Sequence, residues 1–188
     1  TPQDFGAFDM ESGKRAMAFM AKSAAEKKPF YVAWWPMMMP FFPLPAPRVS
    51  LQRGLAGEAY QKMLDPAAGQ LMDFLKAQRL AENTLAIAMA DNGPMTHNPP
   101  PGSGLNEGPF RGGKGEALEG GVRVCAQAWW PGVIKPGQIV NDIVHVTDLY
   151  TTFARIGGAT QYLPTDRIID GIDQTSLLLN GDTFGRRD

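Results

Sequence analysis

With 188 residues, 44% hydrophobic and 20% charged, the chain is long enough and apolar enough to bury a core, which excludes a disordered segment or a fibrous repeat. Lys and Arg number 18 against 19 Asp and Glu, a net charge of -1 with the signs interspersed, so the chain lacks the field that would gather nucleic acid or an anionic membrane surface. Its single cysteine, Cys125, excludes an internal disulfide framework and a thiolate zinc site.

No uninterrupted apolar run reaches the ~20 residues of a membrane-spanning helix, and Thr1-Pro2-Gln3-Asp4 is not the basic start of a signal peptide. The chain opens on Thr1 and not on an initiator methionine, so the expectation is a start inside a longer reading frame, with the compartment left open.

Residues 11–27 are good helix formers, and Ala16, Met17, Phe19, Met20 and Ala24 recur near helical spacing. Pro29 closes that pattern. Phe30-Tyr31-Val32-Ala33-Trp34-Trp35 then reads as a core strand, a continuous apolar run of the kind buried on both faces of a parallel sheet. Between Pro36 and Pro47 stand five prolines, three methionines and two phenylalanines, which cannot continue a central strand and predict an ordered loop.

A second helix is expected over residues 58–79, with Tyr60, Met63, Leu64, Leu71, Met72, Phe74 and Leu75 on one side and Pro66 inside it. Residues 84–90 read as a second buried strand. From Asp91 to Gly121 the composition turns to Gly, Pro and Asn, and a loop longer than ~15 residues within a domain is more often functional than idle. Residues 122–130 read as a third strand. Residues 147–156 read as a helix capped by Thr147 and stopped by Gly157-Gly158. The order helix, strand, helix, strand, strand, helix predicts a single α/β domain over residues 1–188, its sheet flanked by helices on both faces.

Two elements carry oxygen and charge in suggestive places. Asp91-Asn92-Gly93 directly follows the expected strand 84–90, so a carboxylate and an amide oxygen emerge at the carboxyl end of the sheet, where open α/β folds bind ligands. That pair suits a hard divalent cation, although Asp-Asn-Gly is also an ordinary turn signal. Gly112-Gly113-Lys114-Gly115 sets one cation among glycines that allow close backbone approach, which suits a tetrahedral oxyanion and equally describes a glycine-rich solvent loop.

Taken in order, these elements resemble the sulfatase family of the alkaline-phosphatase-like superfamily. They are Ala90-Asp91-Asn92-Gly93-Pro94, Phe110-Arg111-Gly112-Gly113-Lys114-Gly115, Glu119-Gly120-Gly121-Val122-Arg123-Val124, Trp130-Pro131-Gly132 and His145-Val146-Thr147-Asp148-Leu149. The resemblance implies an alkaline-phosphatase-like fold, here incomplete, since the match is to the family's carboxyl-terminal part.

It also implies a sulfate ester as the partner of the intact enzyme and a divalent cation, calcium foremost, as the cofactor. Asp91 and Asn92 would be metal ligands, and Lys114 would bind the sulfate and help stabilise charge on the leaving oxygen. Arg111 and His97 are the candidates for further substrate contact.

The departures from the family pattern shape the expectation as much. The family's nucleophile is a formylglycine made within a Cys/Ser-x-Pro-x-Arg motif, and no such motif occurs in residues 1–188. Two further aspartate ligands are missing, and Met37-Met38-Met39-Pro40-Phe41 stands where the family has a proton-donating histidine. Cys125 lies within the expected third strand and reads as a buried spectator. His145, near a helix start, reads as structural.

The expectation is therefore a sulfatase by descent that is a fragment or remnant, inactive alone, with residues 34–42, from Trp34 to Phe42, offering a surface for self-association. The rival reading is a non-catalytic module for anion binding or protein interaction.

Overall fold

The structure, a computed structural model, describes residues 5–36, 55–94 and 109–182. Five α-helices are seen among them: α1 (Phe5–Ala25), α2 (Leu55–Ala77), the single turn α3 (Glu119–Val122), α4 (Asp148–Ile156) and α5 (Thr175–Asn180). Two short strands, β1 (Ala86–Met89) and β2 (Ala126–Trp129), pair in a two-stranded sheet. The class is α/β. No helix among the described residues is long and apolar enough to cross a membrane.

The chain divides into two compact units, one comprising Thr1–Ala81 and Ile87–Gln127, the other Glu82–Ala86 and Ala128–Asp188. In the first unit α1 packs on α2. Met20 and Ser23 of α1 are buried, as are Ala67 and Leu75 of α2, positions separated by three or a multiple of four residues, so each pair lies on one helix face. Leu75 is only 1% exposed, and burying such a side chain stabilises by roughly 1.5–3 kcal/mol.

Both helices stop in the same way. Lys28 N–H bonds the Ser23 carbonyl at 2.9 Å and Leu80 N–H the Leu75 carbonyl at 2.8 Å, with Lys27 and Arg79 at positive φ. Those residues are where the sequence pattern ends, and the left-handed residue closes off the orphan carbonyls of the last turn.

Residues 30–35 depart from the expectation of a core strand. They belong to neither strand of the sheet, and from Phe30 to Pro36 they alternate half-buried and exposed. Trp34 turns inward, its Nε1 donating to Ser12 Oγ of α1 at 2.9 Å, with its ring beside Gly13. Tyr31 and Trp35 are 70% and 81% exposed. The apolar run is thus covered on one face, which gives it period-two burial outside the two-stranded sheet. The Met and Phe residues at 37–42 lie outside the described residues.

The third expected strand is also shorter than its sequence pattern. Residues 119–122 make one helical turn, with Arg123 N–H on the Glu119 carbonyl at 2.8 Å, and the strand begins only at Ala126. Cys125 therefore precedes the strand and is exposed, which corrects the buried assignment.

The second unit is organised by a buried carboxylate. Asp148, at the start of α4, is fully buried; its Oδ2 accepts His145 N–H at 2.9 Å and Gln174 Nε2 at 3.4 Å, and its Oδ1 accepts Ile172 N–H at 2.9 Å. Buried Thr152 repeats the arrangement one turn on, donating to the Asp148 carbonyl at 2.7 Å and accepting Gln174 N–H at 2.9 Å. The segment leading into α5 is thereby fixed to α4, and a Cβ on Gly171 would collide with the Thr147 carbonyl.

Thr147 makes no capping bond to α4; its hydroxyl meets His145 Nδ1 at 2.9 Å. Asp148 takes the organising role that the sequence assigned to Thr147. The expected stop is where it was placed, with Gly157 as C-cap and Gly158 at φ +66°.

Asp148→Ala removes the acceptor from three donors, the buried Gln174 amide and the part-buried His145 and Ile172 N–H groups, and a buried donor left unsatisfied costs roughly 1–3 kcal/mol. Urea unfolding should show a loss of about 3 kcal/mol or more, and a much smaller one for the exposed Asp166→Ala.

Candidate functional site

The strand-end turn and the lysine loop both lie in the first unit, and backbone hydrogen bonds join them. At the end of β1, Asp91 is exposed and its Oδ1 accepts Asn92 N–H at 3.0 Å. Asn92 is half-buried and directs Nδ2 onto the Gly93 carbonyl at 2.9 Å. With the donor end of that amide engaged, Oδ1 is the end suited to a cation. The next two residues make the joint: Gly93 N–H donates to the Gly121 carbonyl at 2.9 Å, and the Pro94 carbonyl accepts Lys114 N–H at 2.8 Å.

The joint tolerates no side chain. A Cβ on Gly93 would overlap the Gly120 carbonyl oxygen and reach 2.8 Å from its carbon. One on Gly120 would collide with the carbonyls of Gly112, Arg111 and Phe110, and one on Gly121 with those of Glu116 and Gly113. The short helix α3 is threaded between carbonyls, and only glycine permits that approach. Gly120 N–H in turn holds the Arg111 carbonyl at 2.8 Å, which fixes the backbone three residues before Lys114.

The loop between is closed on itself. Gly113 N–H donates to Glu116 Oε2 at 2.8 Å, while Glu116 N–H donates to the Gly113 carbonyl at 3.0 Å. Gly112, at φ +89°, and Gly115, at φ +91°, take conformations that favour glycine. Arg123 braces the other side, with its guanidinium 3.2 Å from Glu119 Oε2 and 4.3 Å over the Phe110 ring.

Of the sequence-predicted site residues, the structure brings Asp91, Asn92 and Lys114 onto segments bonded to one another. Arg111 lies in the same loop with an exposed side chain, as does Lys114. His97 lies outside the described residues. His145 belongs to the second unit, where Thr147 engages its ring. Among the described residues no three His, Cys, Asp or Glu side chains gather into a metal cluster.

Sequence reasoning passed over Glu116 and the interlock of Gly93, Gly120 and Gly121. A carboxylate three residues after Gly113 was the available signal, in the manner of an acidic side chain reaching back to a backbone N–H.

Comparison with known proteins bears on this arrangement directly. The sequence profile of the sulfatase family, described as Sulfatase, matches residues 61–159, which include both halves of the joint. The chain belongs to the sulfatase family. This sulfatase chain is 34% identical over 176 residues to N-acetylgalactosamine-6-sulfatase of Canis lupus familiaris, covering 92% of itself and 33% of that protein. It is 43% identical over 129 residues to steryl-sulfatase of Rattus norvegicus, covering 67% of itself and 22% of that protein.

Among solved structures it is similar to the PsFucS1 sulfatase from Pseudoalteromonas sp., with a TM-score of 0.76 and 36% identity, covering 94% of this chain and 35% of that one. The fold is accordingly the alkaline-phosphatase-like fold of the sulfatases, in part. The sulfatase chain spans about a third of the length of the N-acetylgalactosamine-6-sulfatases that it matches.

The glycine joint predicts a graded series in urea unfolding. Gly120→Ala and Gly121→Ala should each lose more than about 2 kcal/mol, because the colliding atoms are backbone. Gly115→Ala, with open space around it, should lose only about 1 kcal/mol through its positive φ. Gly69→Ala, in α2 with nothing in the way, should gain about 0.5–1 kcal/mol.

Proposed function

We propose that residues 1–188 form the carboxyl-terminal part of a single α/β catalytic domain that hydrolyses sulfate esters, and that this part holds the anion and a divalent cation, calcium, without performing the chemistry alone. The observation that carries the reading is the bond from Lys114 N–H to the Pro94 carbonyl, which sets the one lysine of the loop beside the Asp-Asn turn.

Asp91 and Asn92 are oxygen donors, the chemistry a hard cation requires, and two such donors fall short of the roughly six to eight oxygens that calcium takes from protein and water together. The pair fits as part of such a site. A bound cation supplies polarisation of the sulfate oxygens. The chain's own contribution is charge and position: Lys114 takes the sulfate and stabilises the leaving oxygen, Arg111 and His97 contact the substrate, and the backbone joint keeps Lys114 in register with Asp91 and Asn92.

Relatives named for N-acetylgalactosamine-6-sulfate, steryl and aryl substrates have the sulfate ester in common, which supports that class without selecting an alcohol. Covalent hydrolysis also needs a nucleophile, and the formylglycine motif does not occur in residues 1–188.

The chain by itself should give no turnover of a chromogenic aryl sulfate with calcium present. Turnover that persists in Cys125→Ala would overturn this. Calorimetric titration should find calcium bound weakly, with a dissociation constant on the order of millimolar, and Asp91→Ala should remove the binding. Retention of the wild-type constant in Asp91→Ala would remove that residue from the site. Exposed Tyr31 and Trp35 further predict self-association through the segment 34–42, seen as a scattering mass that grows with concentration and grows less in Trp35→Ser.

A further inference from the structure

One carboxylate closes the turn that carries Lys114. Gly113 N–H reaches Glu116 Oε2 at 2.8 Å and Glu116 N–H returns to the Gly113 carbonyl at 3.0 Å, so Lys114 and Gly115 sit inside a loop fastened at both ends by residues 113 and 116. A backbone N–H bonded to an ionised carboxylate is held roughly twice as strongly as one on a neutral acceptor. The same carboxylate lies under Gly112, where a Cβ would come 2.9 Å from Oε2. Lys114 N–H, the next donor along, is the one that bonds Pro94.

On charge alone Glu116 is a handicap. A carboxylate two residues from a lysine that receives an anion repels that anion. Its hydrogen bonds act in the opposite direction, since they fix the turn in which the lysine is presented. We propose that Glu116 is a positioning residue for Lys114, holding the 113–116 turn so that the lysine stays on the Asp91-Asn92 side of the joint and meets a sulfate group without first paying the entropy of ordering the loop. This rests on the reading of Lys114 as a sulfate ligand.

The two effects of Glu116 differ in sign, and substitution separates them. Glu116→Gln keeps an oxygen acceptor for Gly113 N–H and removes the charge, whereas Glu116→Ala removes both. The test is an NMR titration of the full 188-residue chain with inorganic sulfate in excess calcium, together with hydrogen exchange at the Gly113 and Lys114 amides. The Met20 and Leu75 amides of α1 and α2 serve as internal controls of the fold.

Glu116→Gln should bind sulfate at least as tightly as the parent. Glu116→Ala should bind about tenfold more weakly than Glu116→Gln, with Gly113 and Lys114 exchanging at least about tenfold faster and the helix amides unchanged.

Equal sulfate affinity of the two variants, or unchanged exchange at Gly113 in Glu116→Ala, overturns the proposal. Loss of protection at Met20 and Leu75 in Glu116→Ala overturns it too, by making Glu116 a residue of the fold as a whole. Lys114→Ala distinguishes the premise: parent-like sulfate binding in that variant removes the sulfate role of Lys114 itself. Weakened binding in Lys114→Ala beside equal affinities of the two Glu116 variants removes only the role of Glu116.

Discussion

Gly93 and Gly121 meet with no side chain between them, and the 2.9 Å hydrogen bond from one backbone to the other ties the end of β1 to the turn that precedes β2. The position of the candidate site follows from that contact. Once Gly93 is seated against Gly120 and Gly121, Pro94 presents its carbonyl to Lys114, and the Arg111 carbonyl is taken by Gly120. The segments around residues 93, 111–114 and 120–121 become one surface chiefly through main-chain bonds, with the Glu116 carboxylate closing the turn between them. Such a surface is insensitive to rotamer choice, because its geometry is set by atoms that every residue carries and by side chains that are absent. The polar side chains at its rim, Asp91 and Lys114, remain exposed to solvent.

The second unit solves a similar problem by the opposite means. There a buried carboxylate gathers the loops, with Asp148 collecting donors from His145, Ile172 and Gln174. Asp148 and Asp91 are one residue type in two opposite environments. A fully buried carboxylate whose oxygens receive three N–H groups is spent on structure. The exposed Asp91 carboxylate, which among the described residues accepts its neighbour's backbone N–H, keeps lone pairs open to solvent.

The sequence made some of this legible and hid the rest for physical reasons. The ends of α1 and α2 could be read because helical periodicity and the loss of it are local properties, and the left-handed residues Lys27 and Arg79 fall where the pattern stops. The strand-end turn at Asp91-Asn92 and the loop that carries Lys114 could be located because Asp-Asn-Gly after an apolar run and a lysine among glycines have recognisable composition.

Residues 30–35 were misread because a continuous apolar run does not say how many of its faces are covered; here α1 takes one face and Tyr31 and Trp35 face out. Glu119 to Val122 were misread because glycine pairs disfavour helix intrinsically, and only the crowding of carbonyls from 110 to 116 makes a helical turn the conformation that fits. Glu116 left little trace, since a single carboxylate in a glycine-rich loop looks like solvent-facing charge until its acceptor role is seen.

The separation between Asp91 and Lys114 is short in sequence, and the bonds that hold them run between residues 93 and 121. Loop-closure entropy rises only slowly with length, so a joint closed over this span needs little help from distant parts of a chain. That distinguishes two components of a sulfate-ester site. On the proposed reading, electrostatic reception of the anion depends on a lysine and oxygen donors placed by local backbone bonds, and those bonds lie within a chain that spans about a third of its relatives' length. Covalent chemistry depends on a nucleophile held within reach of the sulfur, and the formylglycine motif does not occur in residues 1–188. On that reading, binding and turnover can be lost independently, binding through the glycine joint and turnover through groups outside it.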